Sequence, residues 1–101
     1  MDITPQITLH KIKHSPAVNE HIQSKIDKMA QYFHHITGCH VVVDYAAQHS
    51  QEAKQYCTRI TVAVPKKTLT ANHNLDTNMY HSIDTAFDDI YRQLKDYKAQ
   101  L

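Results

Sequence analysis

The sequence predicts an α+β fold, a β-α-β-β-β-α two-layer sandwich with a four-stranded sheet and two helices on one face. Three observations predict it. Two segments repeat apolar residues at three- and four-residue steps, one run alternates apolar and polar residues, and short β-branched runs lie between them. Two amphipathic helices need a shared apolar surface, and one face of a sheet supplies it while the other stays wet. A chain of 101 residues fits a single domain, 1–101, with a modest core.

The elements follow in order. Ile7 and Leu9 alternate with Thr8 and His10, a short strand. Ser15-Pro16 is a helix start, because a serine hydroxyl accepts from a free first-turn N–H and proline suits the first helical position. Val18, Ile22, Ile26, Met29, Phe33 and Ile36 then form one apolar stripe, and Thr37-Gly38 is expected to end the helix with Gly38 in a left-handed cap. Cys39–Tyr45 is β-branched and strand-like, and Ala46–Lys54 reads as a polar loop. From Tyr56 to Val64 the alternation is clearest, Pro65-Lys66-Lys67 is a turn, and Thr68–His73 resumes a strand, so the two runs form a hairpin. The segment Asn74–Asn78 is rich in capping residues. Beyond it Tyr80, Ile83, Phe87, Ile90, Leu94, Tyr97 and Leu101 mark a second amphipathic helix, with Tyr80 expected in the core. A right-handed crossover makes the first two strands parallel if they are neighbours.

Composition narrows the function. Eleven Lys and Arg nearly balance ten Asp and Glu, for a net charge of +1. A nucleic-acid partner therefore requires cations segregated on one surface rather than abundant. Hydrophobic residues at 42% exclude a disordered polyelectrolyte. Cys39 and Cys57 form no CxxC pair, the N-terminus Met-Asp-Ile-Thr-Pro has no apolar h-region, and no stretch approaches the ~20 apolar residues of a membrane span. The expectation is a reduced, soluble, cytoplasmic protein with no membrane partner.

Several segments resemble one family. Ile7 through Ile36, ITLHKIKHSPAVNEHIQSKIDKMAQYFHHI, is similar to the first strand and helix of the ribosome hibernation-promoting factor and ribosome-associated inhibitor family, also known as the sigma-54 modulation protein family. The shared features are the Ile-Thr opening, the Ser-Pro-Ala helix start, Lys25 and Lys28 in Lys-x-x-Lys-Met, and Gln31-Tyr32-Phe33. Met79-Tyr80-His81-Ser82-Ile83-Asp84 resembles the family's Met-Tyr-Ala-Ala-Ile-Asp, and Arg92-Gln93-Leu94 with Lys98 its Arg-Gln-Leu ending. The resemblance spans nearly the whole chain and implies the fold derived above. It also implies binding to the 30S subunit and its 16S rRNA, on 70S particles or ribosome dimers, across the mRNA and tRNA channel at the A and P sites. That is a translation-silencing role in stress or stationary phase. With nothing after Leu101, a short form is expected. The chain departs from the family pattern in having Pro65-Lys66-Lys67 where relatives often have Gly, and Asp89 where they often have Lys. Asp88 and Asp96 further dilute the second helix.

Such binding needs a positive surface, because Lys and Arg meet phosphates and release counterions, and structured rRNA is read through shape, phosphates and 2′-hydroxyls. On the first helix His21, Lys25, Lys28, Tyr32 and His35 line a stripe beside the apolar one. The two histidines add charge as pH falls toward their ordinary pKa of about 6.5. On the second helix Arg92, Lys95 and Lys98 cluster in the last turns, where cations also favour the helix dipole. Lys66 and Lys67 are expected to be exposed at the hairpin turn, and Lys11 and Lys13 near the end of the first strand are weaker candidates. The bland alternative is a solvated face in which Asp88–Arg92 and Arg92–Asp96 are ordinary i,i+4 pairs.

The same residues admit other classes. His34, His35, Cys39 and His40 offer imidazole and thiolate suited to zinc, but their spacing matches no finger or HExxH pattern. An enzyme is not expected: Cys39 and Cys57 lie on strands with no nucleophile elbow, and a single glycine makes no phosphate-cradling loop. No cofactor and no small-molecule substrate are implied. A third class is a protein-interaction domain that kept the fold and lost RNA affinity, with Cys57 and Arg59 on its open sheet face.

Overall fold

A computed structural model describes residues 5–47 and 54–100. The elements run β1 (Gln6–His10), α1 (Pro16–Tyr32), β2 (Gly38–Ala47), β3 (Lys54–Val64), β4 (Lys67–Asp76) and α2 (Met79–Ala99). The sheet order is β1-β2-β3-β4. β1 lies parallel to β2, as the helical crossover demands, and the remaining pairs are antiparallel. This is the expected α+β sandwich. The strands on either side of the expected polar loop extend into it, and its residues 48–53, like Leu101 on the second stripe, lie outside the described residues.

The sheet sorts its side chains by parity. Register pairs Val41 with Ile60 and Ile60 with Ala71, and Cys39 with Val62 and Val62 with Leu69. All of these face the helices and are buried, together with Ile22, Met29, Ile83, Ile90 and Leu94 from the helices. Each fully buried aliphatic side chain contributes about 1.5–3 kcal/mol of transfer free energy, so this one layer between sheet and helices holds the fold. A buried polar pair also crosses it: Thr58 Oγ1 lies 2.9 Å from Ser82 Oγ, which in turn donates to the His73 carbonyl at 3.4 Å. Both hydroxyls are thereby satisfied, which removes the cost of burying them.

Both helix starts are capped by side chains. Ser15 Oγ accepts from the Val18 N–H at 3.4 Å with Pro16 in the first turn, and Asn78 Oδ1 accepts from the His81 N–H at 3.0 Å. The end of α1 differs from the sequence expectation. The helix stops at Tyr32, and Phe33 is extended at φ −133° with its N–H still bonded to the Met29 carbonyl. Gly38 opens β2 rather than taking a left-handed cap, and Thr37 donates both its N–H and its hydroxyl to the Ala63 carbonyl. The apolar spacing hides this change. Phe33 and Ile36 are 2% and 1% exposed in the core, so burial is satisfied whether the chain there is helical or extended.

Tyr80 is a second correction. It is 40% exposed rather than in the core, with the His21 ring edge-on to it at 5.0 Å between centroids. Ile83 and the partly buried Met79 fill the core at this end of α2 instead.

The two helices run in the same direction. His21 and Lys25 meet Asp84 near their beginnings, and Tyr32 meets Tyr91 toward their ends. Both finish beside the β3–β4 hairpin, where the Tyr97 hydroxyl donates to the Pro65 carbonyl at 2.7 Å.

Candidate nucleic-acid interface

α1 places Lys25 and Lys28 on the flank that faces α2, one helical step beside the buried Ile22, Ile26 and Met29. With Phe87, Asp88 and Tyr91 of α2 they line a cleft of about 340 Å³. Asp88 and Tyr91 also border the adjoining depression, which is lined by Arg92, Lys95 and Asp96. Lys25, Lys28, Arg92 and Lys95 therefore share the helical layer, gathered around Tyr91. Lys98 reaches across the helices, its Nζ 4.6 Å from the centre of the Tyr32 ring, and Tyr32 packs on Tyr91 at 5.1 Å between centroids. This cation–π contact adds about 0.5–1 kcal/mol at an exposed site and holds the ammonium at the surface. Tyr91 was not among the sequence candidates; its position on the helix beside Arg92 was the available signal.

Charge is graded along this layer rather than uniform. Asp84, Asp88 and Asp89 occupy the first half of α2, and Arg92, Lys95 and Lys98 the last, with Asp96 among them. Asp84 takes His21 Nε2 at 2.6 Å and Lys25 Nζ at 3.6 Å. Arg92 pairs with Asp89 at 2.7 Å, not with Asp88 or Asp96, and its side chain remains 74% exposed. An exposed pair of this kind is weak and yields readily to a phosphate. Among the described residues Lys28, Lys95, Lys98, Lys66 and Lys67 form no ion pair. The cationic character thus concentrates at the end where both helices finish and the hairpin turns.

The Tyr97–Pro65 hydrogen bond brings Lys66 and Lys67 to that end. Register pairs Val64 with Lys67, so the turn itself is Pro65-Lys66, and Lys67 is already in β4. Lys66 sits at φ 67°, left-handed backbone that favours glycine. Lys66→Gly is therefore expected to raise stability by up to about 1 kcal/mol in a denaturant melt. If the Lys66 ammonium meets a phosphate, the same variant loses that contact while the fold gains. Lys11 and Lys13 lie at the opposite end of the sheet, beside Tyr45 and Tyr56. His35 lies beyond the end of α1, exposed, with its ring edge-on to Phe33, and so is not part of the helical stripe.

The histidine–cysteine cluster does not converge. His34 and His35 are exposed after α1, Cys39 points into the core at 7% exposure, and His40 lies on the open sheet face against Thr8 Oγ1 at 3.1 Å. Burial pushes the Cys39 thiol up to about 11, which disfavours the thiolate that metal binding or nucleophilic attack requires. Cys57 and Arg59 fall on the open face, as the strand alternation predicts.

A family model described as Sigma 54 modulation protein / S30EA ribosomal protein matches residues 6–101. The chain belongs to this family. A curated relative, the ribosome hibernation promotion factor of Bacillus subtilis (strain 168), is 30% identical over 93 residues, which is 89% of this chain and 46% of the relative. The chain thus spans about half the length of that relative. The fold is also that of a ribosomal subunit interface protein from Coxiella burnetii, with a TM-score of 0.79, 22% identity, and 94% and 97% of the two chains covered. The Thermus thermophilus Protein Y N-terminal domain is similar too, with a TM-score of 0.75, 20% identity, and 96% and 99% covered. In this S30EA-family chain the cations described above lie on the helical layer and the hairpin. Among the described residues no helix is long and apolar enough to cross a membrane.

Proposed function

We propose that this chain is a ribosome hibernation factor that binds small-subunit rRNA at the mRNA and tRNA channel, across the A and P sites, and silences translation in stress or stationary phase. Family membership supports the ribosome as partner, with the cytoplasm as the place of action. The observation that carries the reading is the cationic end of the helical layer. There Lys28, Arg92, Lys95 and Lys98 surround the Tyr32–Tyr91 pair, with Lys66 and Lys67 beside them. Such a surface grips phosphates without a catalytic pocket, and the partly buried Tyr32 ring positions the Lys98 ammonium within it. Lys25 extends the patch along α1, its charge partly offset by Asp84.

Co-sedimentation with 30S subunits across a salt series tests the proposal. With about six cations meeting phosphates, affinity is expected to fall roughly a thousandfold between 50 and 200 mM salt. Binding that ignores salt would point to an apolar protein interface on the same fold and reject the phosphate-gripping surface.

A further inference from the structure

A second cluster lies at the other end of the molecule, where β4 finishes and α2 begins. Asp76 Oδ2 meets His73 Nε2 at 3.0 Å and His81 Nδ1 at 2.5 Å. The three ligand atoms lie within 4.8 Å of one another. We infer that His73, Asp76 and His81 form a site for a borderline divalent metal ion of the zinc type, held by two imidazoles and one carboxylate.

The convergence has a structural cause. Asp76 lies three positions after His73, an odd step that in a regular strand places the two side chains on opposite faces. The register, however, pairs His73 with Thr58 and Asp76 with Tyr56, so three steps on β4 match two on β3. This bulge restores parity and turns both side chains toward the helix side, where Thr58 is buried. His81 then arrives from the first turn of α2, fixed by its N–H on the Asn78 cap.

The surroundings orient the ligands as a metal site requires. Asp76 is 11% exposed, and its Oδ1 accepts the Asn78 N–H at 2.9 Å, leaving Oδ2 as the single free ligand atom. The Asn78 N–H foremost, and then the His81 ring, favour the carboxylate form of Asp76 and hold its carboxyl down at about 2. The His73 backbone is anchored through Ser82 and Thr58 in the core. Zinc–nitrogen bonds of about 2.0–2.1 Å place tetrahedral ligands about 3.3 Å apart, so closing this set needs only small side-chain rotations. The ion would take the place of the two hydrogen bonds to Oδ2, with each neutral imidazole carrying its proton on the other ring nitrogen, His73 Nδ1 and His81 Nε2, and one position left for water. Hard cations are disfavoured, because two of the three donors are imidazoles.

Zinc chloride titrated into the tag-free 101-residue chain, followed by calorimetry and by NMR of the histidine ring nitrogens, tests the inference. One equivalent is expected to bind, with shifts at His73 Nε2 and His81 Nδ1, and the melting temperature is expected to rise because the ligands span β4 and α2. His81→Gln alters an exposed side chain, and Asp76→Asn keeps the acceptor for Asn78. Each is expected to weaken binding at least about tenfold. His34→Gln with His35→Gln should change nothing. The inference is overturned by no stoichiometric binding, by binding that survives His81→Gln, or by binding lost with the His34 and His35 changes.

Discussion

Reversing Lys25, Lys28 and Arg92 together to Glu is expected to abolish association with 30S subunits and leave the melting temperature almost unchanged. Each residue projects from the helical layer, and none belongs to the core. A charged hydrogen bond to phosphate contributes about 1.5–3 kcal/mol, so losing three weakens binding about a thousandfold or more. Reversal adds repulsion, because Asp88 already sits between Lys25, Lys28 and Arg92 in the two joined depressions. Among the described residues the fold loses only the Lys25–Asp84 and Arg92–Asp89 pairs, both at least partly solvent-exposed and worth less than about 1 kcal/mol each. Co-sedimentation and a thermal melt on the same preparation separate the two effects. A triple variant that still blocks translation in a cell-free assay would show that the helical layer is not the ribosome-facing surface. Loss of binding accompanied by a collapsed melt would instead assign these residues to the fold.

Element order and strand pairing were legible because periodicity reports burial, and burial dominates here. Alternation in Tyr56–Val64 and the stripe from Ile83 to Tyr97 read directly onto the inward faces of β3 and α2. What periodicity misses is geometry that leaves burial unchanged. Phe33 and Ile36 are buried although the helix has already ended, so the stripe overran the true boundary. Tyr80 fell in step with the apolar positions, yet the first turn of α2 leaves it beside His21 rather than over the sheet. Among the site residues, Lys25, Lys28, Arg92 and Lys95 share a surface because same-direction helices align their flanks. Their ion partners were not legible, since Asp88, Asp89 and Asp96 all lie within a turn of Arg92 and only side-chain rotamers decide among them. The His73–Asp76–His81 convergence was invisible for a different reason. It depends on a one-residue bulge that no local residue preference announces.

Phe33→Ala is the substitution expected to cost most stability. Phe33 is 2% exposed at the point where α1 gives way to extended chain, and its ring stacks on Tyr97 at 5.5 Å between centroids. Truncation removes a large buried surface and leaves a cavity between the end of α1 and the last turns of α2, a loss of about 3–5 kcal/mol. A domain of this size holds roughly 5–15 kcal/mol in total, so the melting temperature should fall by about 12 °C or more. The consequence reaches the binding surface through Tyr97. That ring holds the Pro65 carbonyl through its hydroxyl, and the Pro65-Lys66 turn presents the hairpin cations beside Lys98. Loosening Tyr97 therefore frees the hairpin before the whole domain melts. Hydrogen exchange should quicken first at Val64 and Lys67, and 30S affinity should drop modestly even at temperatures where the variant is folded. Equal protection of the hairpin in parent and variant, with only the melt lowered, would mean that the core and the cationic end are uncoupled.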